Sequence, residues 1–228
     1  MATSQNIKVA VDAVVFGYTS NEGLSVLLIK RKGNTFKGKW ALPGGLVKDD
    51  ESLEEAVSRE LNEETGVKIN YLEQLYTFGE LDRDPRNRVV SVAYYGLVKP
   101  DVFELDADTD ASDAAWFNIK SLPELAFDHN HILEVAIQRL KGKITYEPIG
   151  FELLDMKFPF SELEKLYQTV LDRPIDRRNF KKKIMKFGFL EETDEKQQLS
   201  GAGRPGNLFK FNKPKYDKLK KEGINFEI

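Results

Sequence analysis

The stretch GGLVKDDESLEEAVSRELNEETGV, Gly44 to Val67, decides how this chain reads. Its helical part, 52–65, holds five glutamates and one arginine. On a helical wheel Leu53, Ala56 and Val57 open an apolar stripe at i, i+3 and i+4. The same period carries the stripe to positions 60, 61 and 64, where only Leu61 is apolar. Glu60 and Glu64 therefore stand where a core-facing side should run, and Glu63 flanks them. Burying unpaired carboxylates is costly, and three at this spacing repel one another. A hard divalent cation, Mg²⁺ or Mn²⁺, answers both problems, because it prefers oxygen ligands and tolerates dense negative charge. Glu54 and Glu55, early in the helix, read instead as solvated residues favoured by its positive end. Arg59 precedes the acidic cluster and Glu51 lies just before the helix. A pair between them would tie loop to helix and hold the ligand carboxylates in place. Gly44 and Gly45 let the backbone approach a metal or phosphate closely.

Gly45, Glu51, Arg59-Glu60-Leu61, Glu63-Glu64 and Gly66-Val67 together resemble the Nudix box at every defining position. The box is short but specific, and Trp40 in GKWALPGG agrees with the family's fold. The resemblance implies an α/β fold with a mixed sheet sandwiched between helices. It implies that Glu60, Glu63 and Glu64 bind Mg²⁺ or Mn²⁺, with the Gly44 carbonyl as a further ligand. It also implies attack of an activated water on a nucleoside diphosphate derivative. The metal would neutralise and orient the diphosphate and lower the pKa of a bound water. Glu64 is the first choice of general base and Glu80 the second.

Composition sets the frame. A chain of 228 residues allows one large domain or two small ones. No run of about 18 apolar residues is present, so no membrane span is expected. The start, MATSQN, lacks a secretory apolar region. Absence of cysteine excludes disulfides, zinc thiolates and thiol nucleophiles. A cytoplasmic protein is expected. Residues 1–149 carry 17 Lys+Arg against 24 Asp+Glu, or −7, whereas 150–228 carry 17 against 13, or +4. That asymmetry suggests two units with different partners, or ordinary charge drift between two domains.

Residues 9–18 and 24–31 read as strands joined by a TSNEG turn. Segments 68–80, 88–98 and 114–119 are again strand-like, and a helix is expected at 130–141, closed by Gly142. The expected domains are 1–148, Nudix, and 149–228. GELDRDPRNRVVSVAYYGL, 79–97, is similar to the strand–loop–strand of ADP-ribose pyrophosphatases. Arg83, Arg86 and Arg88 would contact phosphate or stack on a base, Asp84 would hold a ribose hydroxyl, and Glu80 belongs to the same loop. A solvated hairpin loop is the plainer alternative. His129 and His131 have no further ligand nearby and receive no role.

In the tail, Ser161-Glu162-Leu163-Glu164 reads as a capping box. Leu163, Leu166, Tyr167, Val170 and Leu171 follow at helical spacing, and Asp172-Arg173-Pro174 breaks the helix. Asp176 caps a second helix with Phe180, Ile184 and Phe187 on its apolar side and Gly188 at its end. Its other side is Arg177, Arg178, Asn179, Lys181, Lys182, Lys183 and Lys186. FLEET and NLFKF read as strands around a loop carrying Arg204. Helix, turn, basic helix, hairpin is the order of a winged helix-turn-helix, whose basic helix enters the major groove of double-stranded DNA. A small dimerisation domain is the plainer alternative.

Both halves together resemble the Nudix-related transcriptional regulators of bacteria. That implies a homodimer on an operator, with a Nudix domain that senses a ligand such as ADP-ribose. Members often have a degraded box, and here the box is intact, so hydrolysis is expected to persist. Two alternatives stand beside the regulator: a metal-dependent pyrophosphatase whose tail only dimerises, and a sensor of a plain sugar.

Overall fold

The structure is a computed structural model and describes residues 6–69, 72–100, 111–197, 206–223 and 226–228. The chain gathers into two compact units, Met1–Gly17 with Leu24–Arg139, and Tyr18–Gly23 with Leu140–Ile228.

The first unit is built on β1 (Lys8–Thr19), β2 (Gly23–Arg31), β3 (Trp40–Ala41), β4 (Gly44–Leu46), β5 (Leu72–Phe78), β6 (Val89–Val98) and β7 (Ala111–Asn118). They form one mixed sheet ordered β3-β2-β1-β6-β5, with β4 also on β1 and β7 on β2. β1 lies mid-sheet and pairs parallel with β6, Val11 opposite Val92. Its near-continuous apolar run suits a strand buried on both faces. Val11, Ala13 and Val15 of β1 pack with Ala56, Val57 and Leu61 of α1 (Leu53–Thr65). These are the hydrophobes of the expected stripe.

Helix α1 starts on a capping box that the sequence reading passed over. Ser52 accepts the Glu55 amide, and the Glu55 carboxylate accepts the Ser52 amide at 2.8 Å. Glu55 is thus a capping residue rather than only a solvated one. Gly66 closes the helix at φ 71°. The two short strands β3 and β4 were not anticipated, and neither was the start of β7 at Ala111. Helix α2 runs His129–Tyr146, straight through Gly142, which therefore does not end it. Glycine weakens a helix interior by only about 1 kcal/mol, and a full further turn continues beyond it.

The second unit holds a 3₁₀ turn (Ile149–Leu153), β8 (Phe158–Pro159), α3 (Phe160–Leu171), α4 (Arg177–Lys186), β9 (Leu190–Lys196), β10 (Asn207–Phe211) and α5 (Lys213–Lys221). Its sheet is ordered β8-β10-β9. This is the winged-helix order. The core is aromatic: Phe158, Phe160, Tyr167, Phe180, Phe189 and Phe209 are all buried. The expected capping box at Ser161 does not form. Pro159 is the N-cap of α3 and Ser161 lies inside the first turn, with no side-chain cap. The extended β8 fixes where the helix begins, and that overrides the local signal. Asp176 does cap α4, accepting the Asn179 amide at 2.8 Å.

Leu61 is only 2% exposed at the centre of the α1 contact. Leu61→Ala should destabilise the first unit by about 2–5 kcal/mol, read as a lowered urea midpoint by circular dichroism.

Candidate functional site

The acidic face of α1 is organised by Arg59. Its Nε and Nη2 reach Glu51 at 2.8 and 2.6 Å, and its Nη1 reaches Glu60 at 2.7 Å and Glu63 at 3.3 Å. Nη2 also donates to the Leu46 carbonyl at 3.3 Å. The expected Arg59–Glu51 pair therefore forms and ties loop, β4 and helix together. The Arg59 hydrogen bond holds the Glu51 carboxyl down at about 2, and Glu51 in turn pushes Arg59 up.

Glu60 and Glu64 point at β4. A Cβ on Gly45 would collide with the Glu60 carboxylate, and one on Gly44 would collide with the Val11 carbonyl. The Gly44 amide donates to Glu64 Oε2 at 2.9 Å. Glu64 is buried, 7% exposed. Glu63 is the outermost of the three, its side chain 45% exposed. Burial pushes the Glu60 carboxyl up, against the pull of Arg59. Among the described residues no three acidic or histidine side chains converge as a ready metal cage. The donor set nevertheless fits a hard divalent cation, because Glu60 is a half-buried carboxylate whose desolvation Arg59 only partly relieves, and Glu63 and Glu64 add carboxylate oxygens on the same helix. Glu60 and Glu64 would hold the ion, joined by Glu63 on leaving Arg59.

Beside Gly44 and Gly45 opens a cleft lined also by Asp12, Arg31, Arg83, Asp84, Arg86, Phe127 and His129. Its floor is a buried charged network. Arg83 spreads its fork over Asp128 at 2.9 and 2.8 Å and over Asp12 at 3.2 Å. Asp12 also accepts the Ser91 hydroxyl at 2.6 Å. His129 Nδ1 accepts the Leu42 amide at 2.9 Å, which leaves its proton on Nε2, 3.4 Å from Asp12. Burial pushes His129 down, so the ring is neutral, as the Leu42 bond requires.

The expected ligand residues divide accordingly. Arg83 lines the cleft but is committed to the network. Asp84 binds Arg86 through two bonds of 2.9 and 2.7 Å, which lowers its pKa. Arg88 turns to the Glu80 carbonyl at 2.9 Å, and neither Arg88 nor the exposed Glu80 lines the cleft. Sequence reasoning missed Arg31, Phe127, Asp12, Asp128 and His129. One signal was available: Asp12 interrupts the apolar run VAVDAVVF, and a buried acid needs a partner.

In the second unit α4 buries Phe180 and Ile184. Arg177 pairs with Glu164 at 3.0 Å, and Lys181 sits 5.4 Å from the Phe160 ring centre and 5.2 Å from that of Phe209. These two bind their own unit. Arg178, Asn179, Lys182, Lys183 and Lys186 are exposed. Arg204 lies outside the described residues.

The NUDIX domain family model matches residues 7–139. The chain belongs to the Nudix family. This Nudix protein also matches the NrtR DNA-binding winged helix domain over residues 150–211. It is similar to the ADPR responsive transcriptional repressor NtrR of Acinetobacter baylyi, 32% identical over 211 residues, 91% of this chain and 83% of that one. It is similar to the ADP-ribose pyrophosphatase of Methanocaldococcus jannaschii, 44% identical over 126 residues, 55% of this chain and 70% of that one. Among solved structures it is similar to Shewanella oneidensis NrtR complexed with a 27mer DNA. The TM-score is 0.78 at 34% identity, covering 92% of this chain and 95% of that one.

His129 yields a pH prediction. Its folded pKa lies below its ordinary 6.5, so the unfolded chain takes the proton first. Its stabilisation is whole above pH 6.5 and is lost as pH falls from there towards the folded value. His129→Asn, whose amide oxygen can replace Nδ1, should remove that component of the acid-side fall in melting temperature between pH 7 and 5, read by scanning calorimetry.

Proposed function

We propose that this chain is a transcriptional regulator. Its Nudix part, residues 1–148, binds ADP-ribose or a related nucleoside diphosphate derivative, and its winged helix, residues 149–228, binds an operator in double-stranded DNA. The observation that carries this reading is a complete acidic face opening beside a cleft, in one chain with an outward-facing basic helix. The likeness to an ADPR responsive repressor along both parts supports it. A homodimer reading two half-sites follows from the symmetry such operators have. No described helix is long and apolar enough to cross a membrane.

We infer that the Nudix site also supports hydrolysis. Mg²⁺ or Mn²⁺ would be held by Glu60, Glu63 and Glu64, with the Gly44 carbonyl as a further ligand, and would polarise the diphosphate and supply activated water. Arg59 and Glu51 hold the acidic face in register with β4. Glu64, buried against Gly44, is the general base we favour over the exposed Glu80. A second reading, a pyrophosphatase whose tail only dimerises, is favoured by the 44% identity to an ADP-ribose pyrophosphatase over the Nudix part alone.

Operator affinity measured by gel shift with and without saturating ADP-ribose separates the two. In Glu64→Gln, where hydrolysis should fall at least roughly 10²-fold, ligand survives the assay. Affinity should change by roughly 5–150-fold, the usual range of coupling. No operator binding at all would leave the pyrophosphatase.

On α4, Arg178→Ala should cost about 1–3 kcal/mol and relax specificity at one base position. Lys182→Ala should weaken all sequences alike and reduce the salt slope by about one. Lys181→Ala should change DNA affinity less than either, since its ammonium is spent on Phe160 and Phe209. Fluorescence anisotropy across a salt series reads all three.

A further inference from the structure

The tip of the β1–β2 hairpin, Tyr18–Gly23, belongs to the second compact unit, although most of both strands belongs to the first. Successive side chains of a strand alternate, so Asp12, Val14, Phe16 and Tyr18 share one face of β1. Asp12 lines the cleft. Val14 and Phe16 are fully buried, and Tyr18 is buried at the far end. From Asp12 to Tyr18 is six residues of strand, about 20 Å. Parallel pairing with β6 holds β1 in register from Lys8 to Gly17. On its other side lies β2, whose last residue, Arg31, is again at the cleft. Both arms of the hairpin therefore join the cleft to the tip.

The tip is gripped by α3. The Lys165 ammonium donates to the Ser20 carbonyl. Glu162 and Thr169 lie beside the Tyr18 hydroxyl, which burial and then the Glu162 charge push up to about 12. Glu162, Lys165 and Thr169 stand at i, i+3 and i+7, a single stripe of the helix. Other sides of α3 serve the helix-turn-helix. Leu163, Leu166, Tyr167 and Val170 are buried. Glu164 pairs with Arg177 of α4 at 3.0 Å, and the Tyr167 ring lies 4.8 Å from that of Phe180. One helix thus holds the hairpin tip and the basic helix at the same time.

We propose that the β1–β2 hairpin is the element through which occupancy of the cleft alters operator affinity, with Lys165 and Tyr18 as its grip on the helix-turn-helix. This rests on the reading of the chain as a ligand-responsive regulator, and it names the residues that carry the response. Asp12 and Gly44, which line the cleft, face each other in the β1–β4 register. A ligand seated there bears on β1 directly. Interiors packed to crystal density pass a displacement on rather than absorb it. β1 is bonded on both sides, and no loop interrupts it between Asp12 and Tyr18. A shift of β1 therefore reaches α3 as a shift of the tip, and α3 hands it to Arg177 and Phe180. Occupancy changes DNA affinity only by as much as the ligand prefers one position of the tip over another. Neither Lys165 nor Tyr18 lines the cleft, so both act as positioning residues.

The test is operator affinity of the full chain, read by fluorescence anisotropy with and without saturating α,β-methylene ADP-ribose and Mg²⁺. The methylene bridge prevents cleavage of the diphosphate. The ratio of the two dissociation constants is the coupling factor. Lys165→Met keeps the stem and removes the donor, and Tyr18→Phe keeps the ring and removes the hydroxyl. Each should bring the coupling factor towards one by roughly 2–30-fold, the effect of changes along a coupling element. Lys165→Arg, which restores a donor, should recover most of it. Lys157→Met, whose ammonium pairs with Glu195, should leave it unchanged. A shift in either variant that exceeds that of Lys157→Met keeps the proposal. A coupling factor within about twofold of wild type in both overturns it, even where operator affinity falls, because that fall is then structural only. If neither variant unfolds cooperatively, hydrogen exchange on the wild type decides. The analogue should change protection in both 18–23 and 160–171, and unchanged protection in either segment overturns the proposal. A wild-type coupling factor of one sinks the regulator reading and the proposal together. An intact wild-type factor that the variants share sinks the proposal alone.

Discussion

The close approach of β4 to both β1 and the acidic face of α1 is the constraint on which the first unit's site depends. β4 is three residues long, and two of them are glycines. Its backbone lies so near β1 that a side chain at Gly44 would meet the Val11 carbonyl, and so near α1 that one at Gly45 would meet Glu60. The gap is filled by carboxylate. Glu64 takes the Gly44 amide, while Arg59 draws Glu51, Glu60 and the Leu46 carbonyl to the other end of the same strand. Glu64 can remain buried and Glu60 half-buried against a strand because the Gly44 amide lowers the cost of the first and the Arg59 guanidinium that of the second.

Charge in this unit is arranged as two poles. Arg59 binds Glu51, Glu60 and Glu63, while Glu64 takes the Gly44 amide. In the cleft Arg31 and Arg86 share one ring, that of Phe127, and Asp84 pairs with Arg86. A cleft that holds Arg31 and Arg86, lined by the two glycines against which the acidic face packs, suits a ligand that arrives as metal and phosphate together. At the cleft Asp12, Arg83, Asp128 and His129 form one set of partners. Removing one member of a buried set leaves the others unpaired, which is strongly destabilising, so this floor is a rigid base.

In the second unit the same basic helix serves two ends. Arg177 and Lys181, four residues apart, lie on one side of α4 and are absorbed by Glu164 and by two aromatic rings. Phe180 and Ile184 fill the core beside them. The remaining cations stay outward. The net charge of the segment overstates the charge available to a partner, because part of it secures the helix to its own domain.

Local periodicity made most of the fold legible. The apolar stripe of α1, the long strands β1, β2 and β6, the Asp176 cap and the helix–turn–helix–hairpin order all follow from patterns within about twenty residues. The acidic box was legible for the same reason: Glu51 and Arg59 are eight residues apart, and the pair forms. Tertiary structure alone decided which residues share the cleft. Arg83 meets Asp12 across 71 residues and Leu42 meets His129 across 87. No helical or strand period extends that far, so a loop arginine expected on the ligand was taken into the floor. Arg31, unremarkable at the end of a strand, was left facing the cavity. The sequence by itself determined the elements and the acidic face, because those rest on near neighbours and repeating geometry. Only the folded chain determined which charges were satisfied and which were not, because that depends on partners distant along the chain.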